Sequence, residues 1–301
     1  MRVFRDEPLL EIIAYLQRGL ADGAPIELAV LDPDRGRTRH AGERVDGHVH
    51  RPFRVWVDLA ERLGLRLQTP RPGPPPLIEL RFEPLARAPA LRDTSTEKYG
   101  AASAFARIDK REDPGFVLDL ADALDRVALG PAPRILDLGV NTGDELALVL
   151  ALAPRDAAEI VGIDHSASAL AVARERFAGR VRLVRLIEAD LNHLAGVALG
   201  RFDLVISIGT LQSPGLDDRA LLRRVVQDHL APDGAVILGV PNCRYLDGEV
   251  EHGARMKNFR QPELGLLIKD VAFYRKYLQQ HHRQVYVTGK NYLLITGVAR
   301  T

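Results

Sequence analysis

The chain has a single cysteine, Cys243, among its 301 residues. That excludes an internal disulfide and a zinc site built from several cysteines. No stretch approaches the run of roughly 20 apolar residues that crosses a bilayer. The opening MRVFRDEPLLEII carries charges where a secretory signal needs an apolar centre. The expectation is a cytoplasmic protein with no membrane contact. An excess of charge of one sign is also missing, with 41 Lys+Arg against 40 Asp+Glu, so the global balance points to no polyanionic partner. Lysine is scarce, with 6 residues beside 35 arginines, a bias we read as genomic rather than chemical. The phosphate loop G-x-x-x-x-G-K-[ST] does not occur, which argues against P-loop nucleotide hydrolysis.

With 46% hydrophobic residues, the chain has material for one large core or two ordinary ones. Two breaks divide it. PRPGPPP at 70–76 stiffens the backbone and removes donors, and PLARAPALRDTSTEK at 84–98 is soft and polar. We therefore expect a small α+β domain over 1–95, for acceptor or partner recognition, and a larger domain over 96–301. The first begins with a helix over 8–21, with Leu9, Ile12, Ile13, Leu16 and Leu20 on one face. A strand at 26–32, a helix at 53–65 closed by Gly64 and a strand at 77–85 follow. The second alternates apolar strands with helices: strands at 134–140, 159–164, 181–190, 202–209 and 235–240, with helices between them. A helix at 262–280 and a hairpin over 284–299 close the chain. Such alternation implies an α/β fold with a parallel sheet covered on both faces, and the final antiparallel hairpin is not what a dehydrogenase needs.

The chemistry concentrates where strands end. In LDLGVNTGDE, residues 136–145, a strand carrying Asp137 turns through Gly139, Asn141 and Gly143 into a helix. Glycine allows left-handed backbone and close approach to a ligand, and the helix start offers N–H groups to an anion such as a carboxylate. An acid at the mouth suits a cationic group. A ligand with an ammonium and a carboxylate on one carbon matches both. A pyrophosphate matches less well, because the middle glycine of G-x-G-x-x-G is Asn141 and Asp137 would repel it. IVGIDHS ends the next strand with Asp164, placed to accept ribose hydroxyls. EAD at 188–190 offers a further carboxylate, and FDLVISIGTLQSPG runs Ser207 to Gln212 across the expected pocket floor.

These segments together resemble the class I S-adenosylmethionine-dependent methyltransferase family. LDLGVNTG resembles its glycine-rich first motif, IDHS its ribose-binding segment, EADL its adenine-contacting segment and FDLVISIGTLQ its fourth motif. LAPDGAVILGVPN resembles its fifth strand with the preceding turn. The resemblance covers roughly residues 98–300. It implies a Rossmann-like seven-stranded sheet of order 3-2-1-4-5-7-6 with an antiparallel last strand, S-adenosyl-L-methionine as cofactor, and cofactor contacts from Asp137, Gly139, Asn141, Gly143, Asp164, His165, Asp190, Leu191, Ser207 and Gly209. It also implies methyl transfer by in-line attack, resting largely on proximity and orientation. No catalytic side chain and no metal is assigned.

The acceptor is read as a small molecule in preference to RNA. The 251–290 segment carries eight cations (Arg255, Lys257, Arg260, Lys269, Arg275, Lys276, Arg283 and Lys290) against three acids, which keeps an RNA methyltransferase as the alternative. A non-catalytic cofactor-binding module for protein interaction is a third reading. Cys243 is read as an inert small residue. The polar stretch 241–261, with Glu249, Glu251 and His252, is long enough to be a lid. Tyr99 and Phe105 are lid candidates ahead of the first strand, although core packing is the preferred role for Phe105.

Overall fold

The computed structural model describes residues 1–37, 40–85, 100–101, 103, 109–127, 129–152, 159–180, 183–213, 215–242, 244–246, 249–251, 264–289 and 292–300. The described backbone falls into two units, one of residues 1–91 with 244–251 and one of residues 92–243 with 252–301.

In the first unit, β1 (Arg2–Val3), α1 (Leu9–Ala21), β2 (Ile26–Leu31), a short ribbon of β3 (Arg44–Val45) and β4 (His48–Val49), α2 (Phe53–Leu63), β5 (Leu65–Leu67), β6 (Arg71–Pro72) and β7 (Leu77–Pro84) follow in order. The sheet runs β1-β2-β7-β5 with β6 also on β7. Helix α1 buries Ile12 and Leu16 of the expected apolar stripe and leaves Leu9, in its first turn, exposed. Helix α2 ends at Gly64, whose φ of +69° is the left-handed C-cap that the sequence anticipated. Both helices close over Phe4, Leu28, Leu80 and Phe82 from the sheet, with Trp56 buried among them.

The second unit contains α3 (Pro114–Asp125), β8 (Arg134–Leu138), α4 (Asp144–Leu152), β9 (Glu159–Asp164), α5 (Ala167–Arg176), β10 (Val184–Glu188), β11 (Phe202–Ile208), α6 (Asp218–Arg224) and β12 (Leu230–Pro241). It closes with α7 (Leu264–Gln280), β15 (Arg283–Thr288) and β16 (Tyr292–Ala299). Between them the ribbon β13 (Arg244–Leu246) and β14 (Glu249–Glu251) is grouped with the first unit. The seven-stranded sheet has the order β10-β9-β8-β11-β12-β16-β15. Counted within the sheet this is 3-2-1-4-5-7-6, as the resemblance implied. The first five strands pair in parallel, whereas β16 is antiparallel to both β12 and β15.

Alternate residues of each strand enter separate cores. Leu136, Leu138, Val161, Ile163, Val205 and Val236 meet α6 and α7 on one face. Ile135, Ile160, Leu204, Ile206 and Ile237 meet α3, α4 and α5 on the other. Burial on both faces explains why these strands read as continuous apolar runs. At the amino ends of the strands, Arg134 donates to Glu159 Oε2 at 2.5 and 3.0 Å, to the carbonyl of Leu199 at 3.0 Å and to that of Arg201. Its own amide donates to Asp203 at 2.8 Å.

Several boundaries differ from expectation. Helix α3 begins at Pro114 because Asp113 caps it, accepting from Gly115 and Phe116. The helix between β11 and β12 is α only to Arg224 and then widens into a π turn, Val225–His229. β12 starts at Leu230, earlier than expected. Phe202 pairs with Leu230 but Leu204 pairs with Ala235, so residues between them bulge from the ladder. Among the described residues, no helix is long and apolar enough to cross a membrane.

Candidate active site

The parallel strands end on one side of the sheet, and the loops there carry most of the residues expected to act. The chain leaves β8 through Gly139 (φ +82°), Asn141 (φ +48°) and Gly143 (φ +81°). Asparagine is among the few residues with a side chain that accept left-handed backbone, so Asn141 keeps the bend where the resemblance leads one to expect glycine. Its Oδ1 accepts from the Thr142 amide at 2.8 Å, a local bond that favours this conformation.

The bend is lashed to β9. The amides of Gly139 and Val140 both donate to the Ile163 carbonyl, at 2.8 and 3.1 Å. The Asn141 amide donates to Asp164 Oδ2 at 2.9 Å, and the Ser166 amide to Asp164 Oδ1 at 2.9 Å. Asp164 is buried, so its carboxylate first shapes the loop and can serve a ligand only through its remaining lone pairs. His165 beside it is exposed, with Nδ1 3.6 Å from Asp164 Oδ1.

The two flanking glycines have different reasons. A Cβ on Gly139 would fall 2.0 Å from Thr210 Oγ1, a side chain from the loop after β11. A Cβ on Gly143 would fall 2.5 Å from the Phe177 ring. Gly143 is therefore needed to pack the α4 start against the end of α5, and it presents no surface to a ligand.

Asp137 lies in β8 at 3% exposure, and its Oδ2 has no hydrogen-bond partner among the described residues. Burial, then the Glu145 and Asp164 carboxylates, push its pKa well above the usual range for an aspartate, with Lys110 opposing. An acid held this way needs a cation. The buried unpartnered oxygen, next to a backbone bend with no Cβ, fits the ammonium end of an amino-acid cofactor.

The start of α4 carries its own anions, Asp144 and Glu145. Asp144 meets Arg176 at 2.6 Å and Arg111 at 3.3 Å, and Glu145 meets Lys110 Nζ at 2.5 Å. The helix N-terminus expected to receive a ligand carboxylate is thus already supplied with acids from its own first turn.

The remaining expected residues divide. Asp190 caps a 3₁₀ turn, accepting from the Asn192 amide at 2.9 Å and facing His193 Nδ1 at 3.1 Å. The Asn192 bond holds its carboxyl below the usual range despite some burial, with His193 assisting. Leu191 is buried in the core, and Ser207 is buried with Oγ donating to the Leu138 carbonyl at 3.2 Å, inside the sheet. Gly209 has φ +74° and donates to the Gly239 carbonyl at 2.7 Å. Of the basic segment, Arg283 is buried and donates to the carbonyls of Ala231 and His281, at 2.9 and 3.3 Å. Tyr99, Phe105, Cys243, His252, Arg255, Lys257, Arg260 and Lys290 lie outside the described residues, as do the side chains of Glu249 and Glu251.

Sequence reasoning missed Lys110, Glu145 and Tyr292, while Thr210 lies in the stretch expected to floor the pocket. Glu145 adjoins the glycine bend and could have been found there. Lys110 had no periodicity or spacing to mark it, because it reaches the site from a short 3₁₀ turn, Lys110–Glu112, ahead of α3.

A sheet of this order with an acid-lined bend after its first strand is the architecture of class I methyltransferases. Residues 135–234 match the family model described as a methyltransferase domain. The chain is 39% identical over 111 residues to carboxy-S-adenosyl-L-methionine synthase of Methylococcus capsulatus, covering 36% of this chain and 45% of that one. It is 33% identical over 120 residues to trans-aconitate 2-methyltransferase of Azoarcus sp., covering 40% of this chain and 44% of that one. The chain thus spans less than half the length of these curated relatives. Among solved structures, magnesium protoporphyrin IX methyltransferase of Synechocystis with bound S-adenosylmethionine matches at TM-score 0.41 and 16% identity, over 70% of this chain and 87% of that one. Over residues 135–234 the chain is similar to S-adenosylmethionine-dependent methyltransferases, which use S-adenosyl-L-methionine as cofactor.

Proposed function

We propose that the chain transfers the methyl group of S-adenosyl-L-methionine to a small-molecule acceptor. The observation that carries this reading is the buried Asp137 with its unpartnered oxygen, set beside the left-handed Gly139 and facing the Glu145 and Asp164 carboxylates. Glu145 and Asp164 surround Lys110 and an Asp137 that ionises more readily beside a cation, which suits a ligand carrying both sulfonium and ammonium charges. When bound, this cofactor supplies an electrophilic methyl group, whose bond to sulfur breaks as an acceptor lone pair forms the new one, leaving a neutral thioether.

The residues of this chain bind and orient. Asp137 would take the ammonium, the bend from Gly139 to Asn141 would hold the amino-acid portion, and Asp164 would offer its free lone pairs to the ribose hydroxyls. His165, Asp190 and the Leu191 backbone line the base end, and Gly209 leaves room beside the reacting centre. Ser207 and Gly143 hold the walls in place. Orientation supplies the rate, so the proposal assigns no side chain as base.

The names of the two curated relatives concern small molecules, which supports a small acceptor. The buried, carbonyl-bound Arg283 is removed from the cations available to an RNA backbone. On this reading the protein acts in the cytoplasm, and the 1–95 domain recognises the acceptor or a partner. Incubating the protein with methyl-labelled cofactor and separated small-molecule and RNA pools of its own cell tests the reading. Label should pass to the small-molecule pool. Absence of cofactor binding by calorimetry would overturn the proposal, and label in RNA alone would replace it with the RNA reading.

A further inference from the structure

Lys110 and Tyr292 converge on the other half of the crevice. Tyr292 opens β16, opposite Pro241 of β12, and its ring is held edge-on by the buried Phe116 at 5.3 Å and 62°. Lys110 Nζ stands 5.1 Å from the centre of that ring and 2.5 Å from Glu145 Oε1. Both heads meet in front of Gly209. A Cβ built there would lie 3.7 Å from the Tyr292 hydroxyl and 3.8 Å from Lys110 Nζ. Burial works against the lysine's charge, but the Glu145 carboxylate and the Tyr292 hydroxyl outweigh it and hold the proton far above the usual range. An ammonium has three donors; Glu145 accepts one at 2.5 Å and the Tyr292 hydroxyl lies within reach of a second.

Position in the sheet separates Tyr292, though not Lys110, from the acids expected to hold the cofactor. Asp164 and Asp190 stand at β9 and β10, and Asp137 on β8, whereas Gly209 follows β11 and Tyr292 lies two strands beyond it. A cofactor held by the three acids and reaching Gly209 would lie beside Lys110, which already acts on Asp137, and would leave the Tyr292 side of the pair to the molecule placed next to it. The charges select that molecule. One ammonium and one hydroxyl match the two oxygens of a carboxylate. A phosphate dianion would double attraction and repulsion alike, and offers three or more acceptor oxygens to a pair that supplies few free donors.

We infer that Lys110 and Tyr292 anchor a carboxylate of the acceptor, so that the acceptor is a small carboxylic acid. The inference rests on the methyltransferase reading above. Glu145 then has a definite part. It keeps Lys110 from being an unpaired charge in the free protein, and it moderates the attraction for an incoming acid.

The test begins with calorimetric titration of the full chain with S-adenosylmethionine, since failure there sinks the underlying methyltransferase reading and not this assignment alone. The protein saturated with S-adenosylhomocysteine is then screened by ligand-observed NMR against mono-, di- and tricarboxylic acids, each paired with its amide. At least one acid should bind in preference to its amide. Lys110→Met should weaken that acid roughly tenfold or more, the loss of one charge-assisted hydrogen bond, and Tyr292→Phe should weaken it less. Glu145→Gln should act in the opposite direction and tighten the acid, a gain that damaged packing does not produce. Lys110→Arg should retain acid binding, so it and Glu145→Gln carry the test if Lys110→Met does not fold. The assignment is overturned if no acid is preferred over its amide, or if Glu145→Gln and Lys110→Met leave acid binding unchanged. It is also overturned if Lys110→Met weakens S-adenosylmethionine but not its decarboxylated analogue, because Lys110 then reads the cofactor's own carboxylate.

Discussion

Replacing Asp164 by alanine is expected to damage the fold before it damages binding. The carboxylate is 6% exposed and accepts two amides, those of Asn141 and Ser166, each at 2.9 Å. Hydrogen bonds to a charged acceptor contribute about 1.5–3 kcal/mol each. Removing this acceptor from both amides, with some relief from loop relaxation and entering water, should cost about 2–4 kcal/mol. That is a large part of the roughly 5–15 kcal/mol that holds an ordinary domain together. Asp164→Asn keeps one acceptor but turns an NH2 group toward the second amide, and should cost about 1–3 kcal/mol. Urea unfolding followed by circular dichroism at pH 7 measures both, as a lowered midpoint with unchanged slope. Calorimetry without urea should in addition show cofactor affinity weakened by about 1–3 kcal/mol in Asp164→Ala, the cost of losing a buried acceptor for the ribose hydroxyls. An alanine variant within about 0.5 kcal/mol of the native protein would refute the assignment of Asp164 as the tie between loop and sheet. Normal stability with lost affinity would leave only the ligand role.

Gly139→Ala should destabilise by about 2–4 kcal/mol, from left-handed strain plus the overlap with Thr210. The double variant with Thr210→Ala should recover part of this in a double-mutant cycle, and purely additive losses would count against the overlap. Asp137→Asn should lose cofactor affinity yet be at least as stable as the native protein at pH 7. The sign follows from its raised folded pKa: above the unfolded value near 3.8 the unfolded chain has released a proton that the folded one retains, so native stability falls as pH rises through that window. Asparagine lacks that slope, and melting curves from pH 4 to 8 would show the two proteins diverging; parallel curves would contradict it. Cofactor binding, by supplying an ammonium that favours the ionised carboxyl, should tighten with pH across the same range. Arg134→Ala should cost about 1–3 kcal/mol, read as a urea midpoint shift, because one side chain ties Glu159 to the Leu199 and Arg201 carbonyls.

Much of the larger unit was legible in the residues. Strands such as Ile135–Leu138 and Val205–Ile208 announced themselves as continuous apolar runs because both faces are buried. Left-handed residues at Gly64, Gly139 and Gly143 were legible because few residue types tolerate that backbone. Less visible was why each glycine is needed, since Gly143 answers to Phe177 and Gly139 to Thr210, neighbours brought in by other elements. The β12 bulge was hidden as well, because it reflects a mismatch in length between two paired strands and not a preference of either sequence.

Local preference and apolar rhythm therefore set the order of strands and helices, the bend after the first buried strand and the acids at the strand ends. These depend on neighbours within a few residues. Tertiary structure alone decided what those acids do: that Asp164 spends two lone pairs on backbone amides, that Asp190 caps a turn, that Asp137 Oδ2 has no hydrogen-bond partner among the described residues. It alone brought Lys110 beside Glu145 and Tyr292. Electrostatic partnership is a property of distance in space, and residues 35 and 182 positions apart along the chain carry no mutual signal until the sheet closes the gap.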